Sequence, residues 1–97
     1  MMKKLYTNSE LIGAQRRSIG NRNSLMASVS CGCYSCETIM LSNEIRDWKL
    51  EDNGEMTAIC PFCGKETIIG DDGIPIKKIF LQEMRKFWAD YCRYENL

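Results

Sequence analysis

The sequence predicts a small α+β domain: a metal-clamped ribbon of about three short strands, with short helical segments before it and an amphipathic helix after it. Three observations predict this. Cys33-x-x-Cys36 and Cys60-x-x-Cys63 each put two thiols on one tight turn, and the 23 residues between the pairs suffice for a short helix and a hairpin that bring the turns face to face. An Asp52-Asn53-Gly54 turn signal is flanked by strand-like segments. From Ile76 onward, apolar residues recur at helical spacing.

Taken in order, residues 1 to 8 read as a loose start. Ser9 is then an N-cap for a short helix over Glu10–Arg17, with Glu10 at its positive end. Gly20, Asn21 and Asn23 break that helix, and Ser24–Ser28 supplies another helical turn. Ser42 caps a short helix through Asp47, with Ile45 and Trp48 turned inward. Strands are expected around Lys49-Leu50, over Met56–Ile59 and over the β-branched Thr67-Ile68-Ile69, with Gly70-Asp71-Asp72-Gly73 ending the last. Pro75 suits the first turn of the closing helix. Its stripe is Ile76, Ile79, Phe80, Met84, Phe87, Trp88 and Tyr91, which is more often core than a binding groove. If that stripe is wider than the ribbon can cover, Phe87, Trp88 and Tyr91 would form a homodimer contact.

Ninety-seven residues make a single domain over 1–97, divided into a basic helical segment at 1–30, the ribbon at 31–70 and the helix at 74–94. A chain of this size buries only a modest core, so a metal staple is a useful stabiliser, contributing on the order of 10 kcal/mol in small structural zinc sites. The metal-free protein is expected to be locally unfolded between Cys31 and Ile69. The chain opens without an apolar run suited to export, and no stretch approaches membrane-spanning length. A cytoplasmic setting is therefore expected, and paired cysteines there read as metal ligands or redox groups, not disulfides.

The second pair, Cys60-Pro61-Phe62-Cys63-Gly64, has the features of a metal knuckle. Pro61 fixes one dihedral, backbone N–H groups turn back to the first sulfur, and Gly64 permits the left-handed conformation that closes the turn. The first pair has Glu37 where a glycine is easiest, so its turn must differ or tolerate strain. Cys33, Cys36, Cys60 and Cys63 are the expected ligands of one structural Zn²⁺, since four thiolates suit its tetrahedral preference. Iron takes the same ligands. Cys31 is expected to pack beside the site and Cys92 to lie on the closing helix, both structural in role.

These motifs resemble zinc-ribbon proteins of the rubredoxin-type double knuckle, and among them small uncharacterised bacterial and phage cytoplasmic proteins. The resemblance runs over about residues 25 to 90, through Cys31-Gly32-Cys33-Tyr34-Ser35-Cys36, Glu44–Trp48, Thr57–Gly64, Ile69-Gly70-Asp71, Phe80–Met84 and Trp88. It implies a zinc-binding ribbon with a helix packed on it and no established reaction. Where that set continues its second knuckle with an apolar residue and Asp-Ser, this chain has Lys65-Glu66-Thr67.

Catalysis is not expected. The chain has no histidine, and a cage of four thiolates leaves no position for water. Asp71 and Asp72 are explained by a turn and by charge at a helix N-terminus. Formal charge is zero overall but divided: residues 1–30 carry Lys3, Lys4, Arg16, Arg17 and Arg22 against Glu10, a net of +4, and the remainder carries −4. A basic segment of this kind folds back on its own body or reaches for an anionic partner. The expected function is a non-catalytic adaptor that docks on another protein, including the special case of a phage- or plasmid-encoded blocker of a host factor. The alternative is a nucleic-acid-binding or transcription-associated ribbon, with Arg16, Arg17 and Arg22 on phosphates and Tyr34 or Phe62 stacking on bases. Rubredoxin-like electron transfer or dithiol exchange is the third reading.

Overall fold

The computed structural model describes residues 5–95, with side chains through Ala89. Helices α1 (Asn8–Arg16) and α2 (Arg22–Met26) lead into strands β1 (Ser30–Cys33) and β2 (Ile39–Leu41). After a single 3-10 turn over Ser42–Glu44 come β3 (Asp47–Leu50), β4 (Met56–Ile59), β5 (Ile68–Gly70) and helix α3 (Lys78–Glu95). The expected α+β class is what forms.

The strands build two antiparallel sheets, one of order β2-β1-β5 and a β3-β4 hairpin. The hairpin pairs Asp47 with Ile59 and Leu50 with Met56 around the expected turn. Two strands beyond the expected three appear, β1 and β2, directly flanking the first knuckle. Their residues read as ligand and linker in sequence, but backbone pairing of Cys31 with Met40 and of Cys33 with Ile68 makes them strands.

Alternation along β1 divides the molecule. Cys31 and Cys33 point to one face of the three-stranded sheet, into a core with Leu25, Met40, Ile45, Ala58, Cys60 and Ile68. On the opposite face Tyr34 and Ile69 meet Leu11 and Ala14 of α1 and Phe80, Leu81 and Met84 of α3. Gly32 lies between. A Cβ there would come within 2.7 Å of Ile76 Cγ2 and 2.9 Å of Leu81 Cδ1, so its absence lets α3 approach β1.

Several expected boundaries shift for local reasons. Thr7, not Ser9, caps α1: its hydroxyl accepts from Glu10 N–H at 3.1 Å while the Glu10 carboxylate accepts from Thr7 N–H at 2.9 Å, a reciprocal pair that Ser9 cannot make from inside the helix. The expected helix from Ser42 to Asp47 stops at Glu44, because Asp47 is drawn into β3 by pairing with Ile59. Ile45 is buried and Trp48 half-buried against the same core, as their inward placement requires. Helix α3 begins at Lys78, leaving Pro75 outside it, because Ile76 is needed as a lid over Gly32.

The start of the chain is not loose from Leu5 onward. The Glu83 carboxylate accepts from the N–H groups of Leu5 and Tyr6 at 3.0 and 3.2 Å, and the Tyr6 ring meets Phe80 edge-on at 5.2 Å. Phe87 and Trp88 are half-buried at the edge of the α3 core, whereas Tyr91 and Cys92 lie outside the described side chains. Asn21 is buried between the sheets: its side chain donates to Ile68 O at 2.8 Å and accepts from Ala58 N–H at 3.0 Å.

Candidate metal centre

The first knuckle leaves β1 at Cys33 and re-enters pairing at Thr38; the second follows β4 at Cys60. Both close in the same way. Cys33 N–H donates to Thr38 O at 2.9 Å and Cys60 N–H to Lys65 O at 2.8 Å, each spanning five residues. In both, the residue after the second cysteine is left-handed: Glu37 with φ 61° and Gly64 with φ 77°. The first turn therefore has the same form as the second, and Glu37 adopts a conformation that glycine takes without steric cost.

The four Sγ atoms of Cys33, Cys36, Cys60 and Cys63 all lie within 4.8 Å of one another. Across the knuckles Cys33 Sγ is 3.6 Å from Cys63 Sγ, and Cys36 Sγ is 3.8 Å from Cys60 Sγ. A regular tetrahedron with metal–sulfur legs of 2.3 Å has sulfur–sulfur edges of about 3.8 Å. The cysteines are free thiols, and sulfurs at these separations are not bonded. The donor set and its spacing fit a four-coordinate zinc or iron ion, without distinguishing the two.

Backbone hydrogen bonds around the sulfurs suit thiolates. Cys36 N–H points to Cys33 Sγ at 3.5 Å and Phe62 N–H to Cys60 Sγ at 3.4 Å. The hydroxyl of Thr67 lies 3.0 Å from Cys33 Sγ, and the Cys36 thiol donates to the Thr38 hydroxyl at 3.2 Å. For Cys36, burial opposes ionisation, but the hydroxyl and N–H of Thr38 and the neighbouring thiols outweigh it and bring the pKa down to about 7. Burial pushes Cys60 up to about 12, against the N–H groups of Phe62 and Cys63, and raises Cys33 as well. Cys36 is thus the first of these three to ionise.

The knuckles differ in surroundings. Pro61–Glu66 is exposed throughout, with the Phe62 side chain out in solvent. The first knuckle sits between the sheet and α3. Arg85 Nη1 donates to the Glu37 carboxylate at 2.8 Å, and Lys78 Nζ donates to the Glu37 carbonyl at 2.8 Å. Thr38, Thr67, Lys78 and Arg85 are the site's unanticipated members. Only the two threonines stood close enough in sequence to the ligands to be noticed.

Cys31 lies outside the cluster, fully buried opposite Met40 and Gly70, and burial pushes its pKa up to about 11. The basic residues go to separate partners. Arg17 pairs with Asp72, Arg22 lies 5.6 Å over the Trp48 ring and Arg16 is exposed, while Lys3 and Lys4 lie outside the described residues. The two aspartates do not serve a helix N-terminus as expected. Asp71 accepts from Val29 N–H, Ser30 N–H and the Ser30 hydroxyl, tying the β5–α3 loop to the segment entering β1, and Asp72 accepts from Ser24 and Arg17, tying it to α2 and the end of α1.

No protein family matches this chain, and neither a curated protein nor a solved structure shows significant similarity to it. The likeness to zinc ribbons accordingly stands on the four cysteines and the paired turns that carry them. Among the described residues, no helix is long and apolar enough to cross a membrane.

Proposed function

We propose that this chain is a non-catalytic adaptor in which Cys33, Cys36, Cys60 and Cys63 hold a structural zinc ion and the stiffened ribbon docks on another protein. The observation that carries the reading is the convergence of four sulfurs at tetrahedral spacing. Four protein ligands complete the coordination of zinc and leave no place for a water or substrate. Bound there, zinc would supply rigidity. Exposed apolar side chains at the sheet edge, Ile39 and Leu41 on β2, support docking as the use of that rigidity. Arg17 and Arg22 are occupied by Asp72 and Trp48, which favours a protein partner over nucleic acid. A reducing cytoplasm is the setting in which four such thiols stay available.

Elemental analysis with native mass spectrometry is expected to give one zinc per chain; iron would move the reading to electron transfer. Cross-linking in cells is expected to yield a protein partner that is lost on Ile39→Lys with Leu41→Lys and kept on Arg16→Ala. Retention on nucleic acid that falls steeply with salt and vanishes on Arg16→Ala with Arg22→Ala would replace the adaptor reading. A hydrolytic activity abolished by Asp71→Asn with zinc retained would overturn it.

A further inference from the structure

The two knuckles make the same turn with different residues at its left-handed position. At the second, Gly64 takes φ 77° with no Cβ to object, and its chain neighbours are solvent-exposed. At the first, Glu37 takes φ 61°, a region that disfavours any residue with a Cβ. Something must hold it there. Two contacts reach Glu37 from α3: Lys78 Nζ on its carbonyl and Arg85 Nη1 on its carboxylate, both at 2.8 Å. Lys78 and Arg85 stand about two helical turns apart, on one face of α3. They grip the main chain and the side chain of the same residue.

We infer that Lys78 and Arg85 are positioning residues for the metal, holding Glu37 left-handed so that Cys36 is presented to the other three sulfurs. The inference rests on reading the cysteine cluster as a metal site. Rotation of Glu37 toward extended backbone would carry Thr38 away. Thr38 both closes the turn, by accepting from Cys33 N–H, and places its hydroxyl on Cys36 Sγ. The helix thereby does for the first knuckle what the missing Cβ does for the second. Metal affinity is then linked to the docking of α3, and the linkage enters through the first knuckle alone.

The test is a competition titration of zinc against a chromophoric chelator at neutral pH, using the full chain. The variants are Lys78→Ala with Arg85→Ala, Glu37→Gly, and all three changes together; circular dichroism reports helix content for each. The double variant is expected to bind zinc about tenfold more weakly, in the range of a typical coupling between two sites. Glu37→Gly is expected to bind within about threefold of the natural chain, since glycine needs no clamp. The triple variant is expected to match Glu37→Gly, so that losing the two cations no longer matters. As a second readout, the cobalt-substituted double variant should show a weakened tetrahedral thiolate spectrum that Glu37→Gly restores. Unchanged affinity in the double variant would overturn the inference, as would a tenfold loss persisting in the Glu37→Gly background, because α3 would then act only through general stability. If the natural chain itself bound no zinc or cobalt, the metal-site reading would fall, an outcome distinct from equal affinities across the series.

Discussion

The two faces of the β2-β1-β5 sheet are covered by different means. On one, α1 and α3 bring Leu11, Phe80, Leu81 and Met84, all fully buried, onto Tyr34 and Ile69. On the other, α2, the 3-10 turn and β4 bring Leu25, Ile45 and Ala58 against a layer that includes Cys31, Cys33 and Cys60. The helical face has the larger apolar side chains and depends on burial. The cysteine face is poorer in them and, on the reading proposed above, would gain cohesion from a metal ion held by the four sulfurs. A small chain with such a metal would build half of its interior from hydrocarbon and staple the other half.

The largest effect that separates the faces is metal removal. Chelation of the zinc-loaded protein should abolish amide exchange protection over β3, β4 and the knuckles while leaving protection in α3, because a structural zinc site contributes on the order of 10 kcal/mol and only one face holds it. Trp48 packs on the cysteine side and Trp88 on the helical side, so each tryptophan reports on its own face. In a Trp88→Phe variant, emission should change on chelation; in Trp48→Phe it should change little. Equal responses would show one indivisible core.

Next in size is the opposite break. Leu81→Ala opens a cavity beneath α3 and should cost about 2–5 kcal/mol in urea unfolding of the loaded protein, with one zinc per chain retained. Asn21→Ala should cost about 1–3 kcal/mol, since it orphans Ala58 N–H and Ile68 O at a buried site. That loss should be smaller in metal-free protein, where the hairpin that carries Ala58 has already lost its protection.

The smallest effect sharpens the electrostatics of the cysteine face. The Cys36 pKa is lowered to about 7 in the folded protein, so its thiolate favours folding fully above the ordinary thiol range, and that contribution is lost as pH falls through 7. Cys60 is raised, so its neutral thiol favours folding below that range and loses its contribution as pH rises toward 12. Where the knuckles are folded without metal, Cys36 should therefore be the first of Cys33, Cys36 and Cys60 to be alkylated as pH rises through 7, read by mass spectrometry of the labelled peptides.

Much of this arrangement was legible from the sequence because the signals were local. The Cys-x-x-Cys pairs, the Asp52-Asn53-Gly54 hairpin turn and the α3 stripe each lie within a few residues or one helical period. Strands β1 and β2 were not legible. Ser30-Cys31-Gly32-Cys33 carries no β-branched residue, and its pairing with Ile68–Gly70 is fixed by partners nearly forty positions away. The same holds for the site: its ligands announce themselves by spacing, but the grip of Arg85 on Glu37 joins residues 48 apart, and nothing in either neighbourhood signals it. Asp71 and Asp72 form the expected turn, but their carboxylates serve distant amides, hydroxyls and Arg17 and not the α3 N-terminus, a choice of partner that no local signal gives.

Strand β1 is read on both sides at once, cysteines toward the hairpin and Gly32 and Tyr34 toward the helices. Its tolerance to insertion and deletion should therefore be nil. One residue added between Cys31 and Cys33 would trade every side chain beyond it to the opposite face, putting a thiol under α3 and the Tyr34 ring among the sulfurs. The exposed tip at Asp52–Gly54 carries no such double duty and should accept extra residues freely. Length variation among chains built on this plan is accordingly expected to accumulate in the hairpin turn and to spare the four residues of β1.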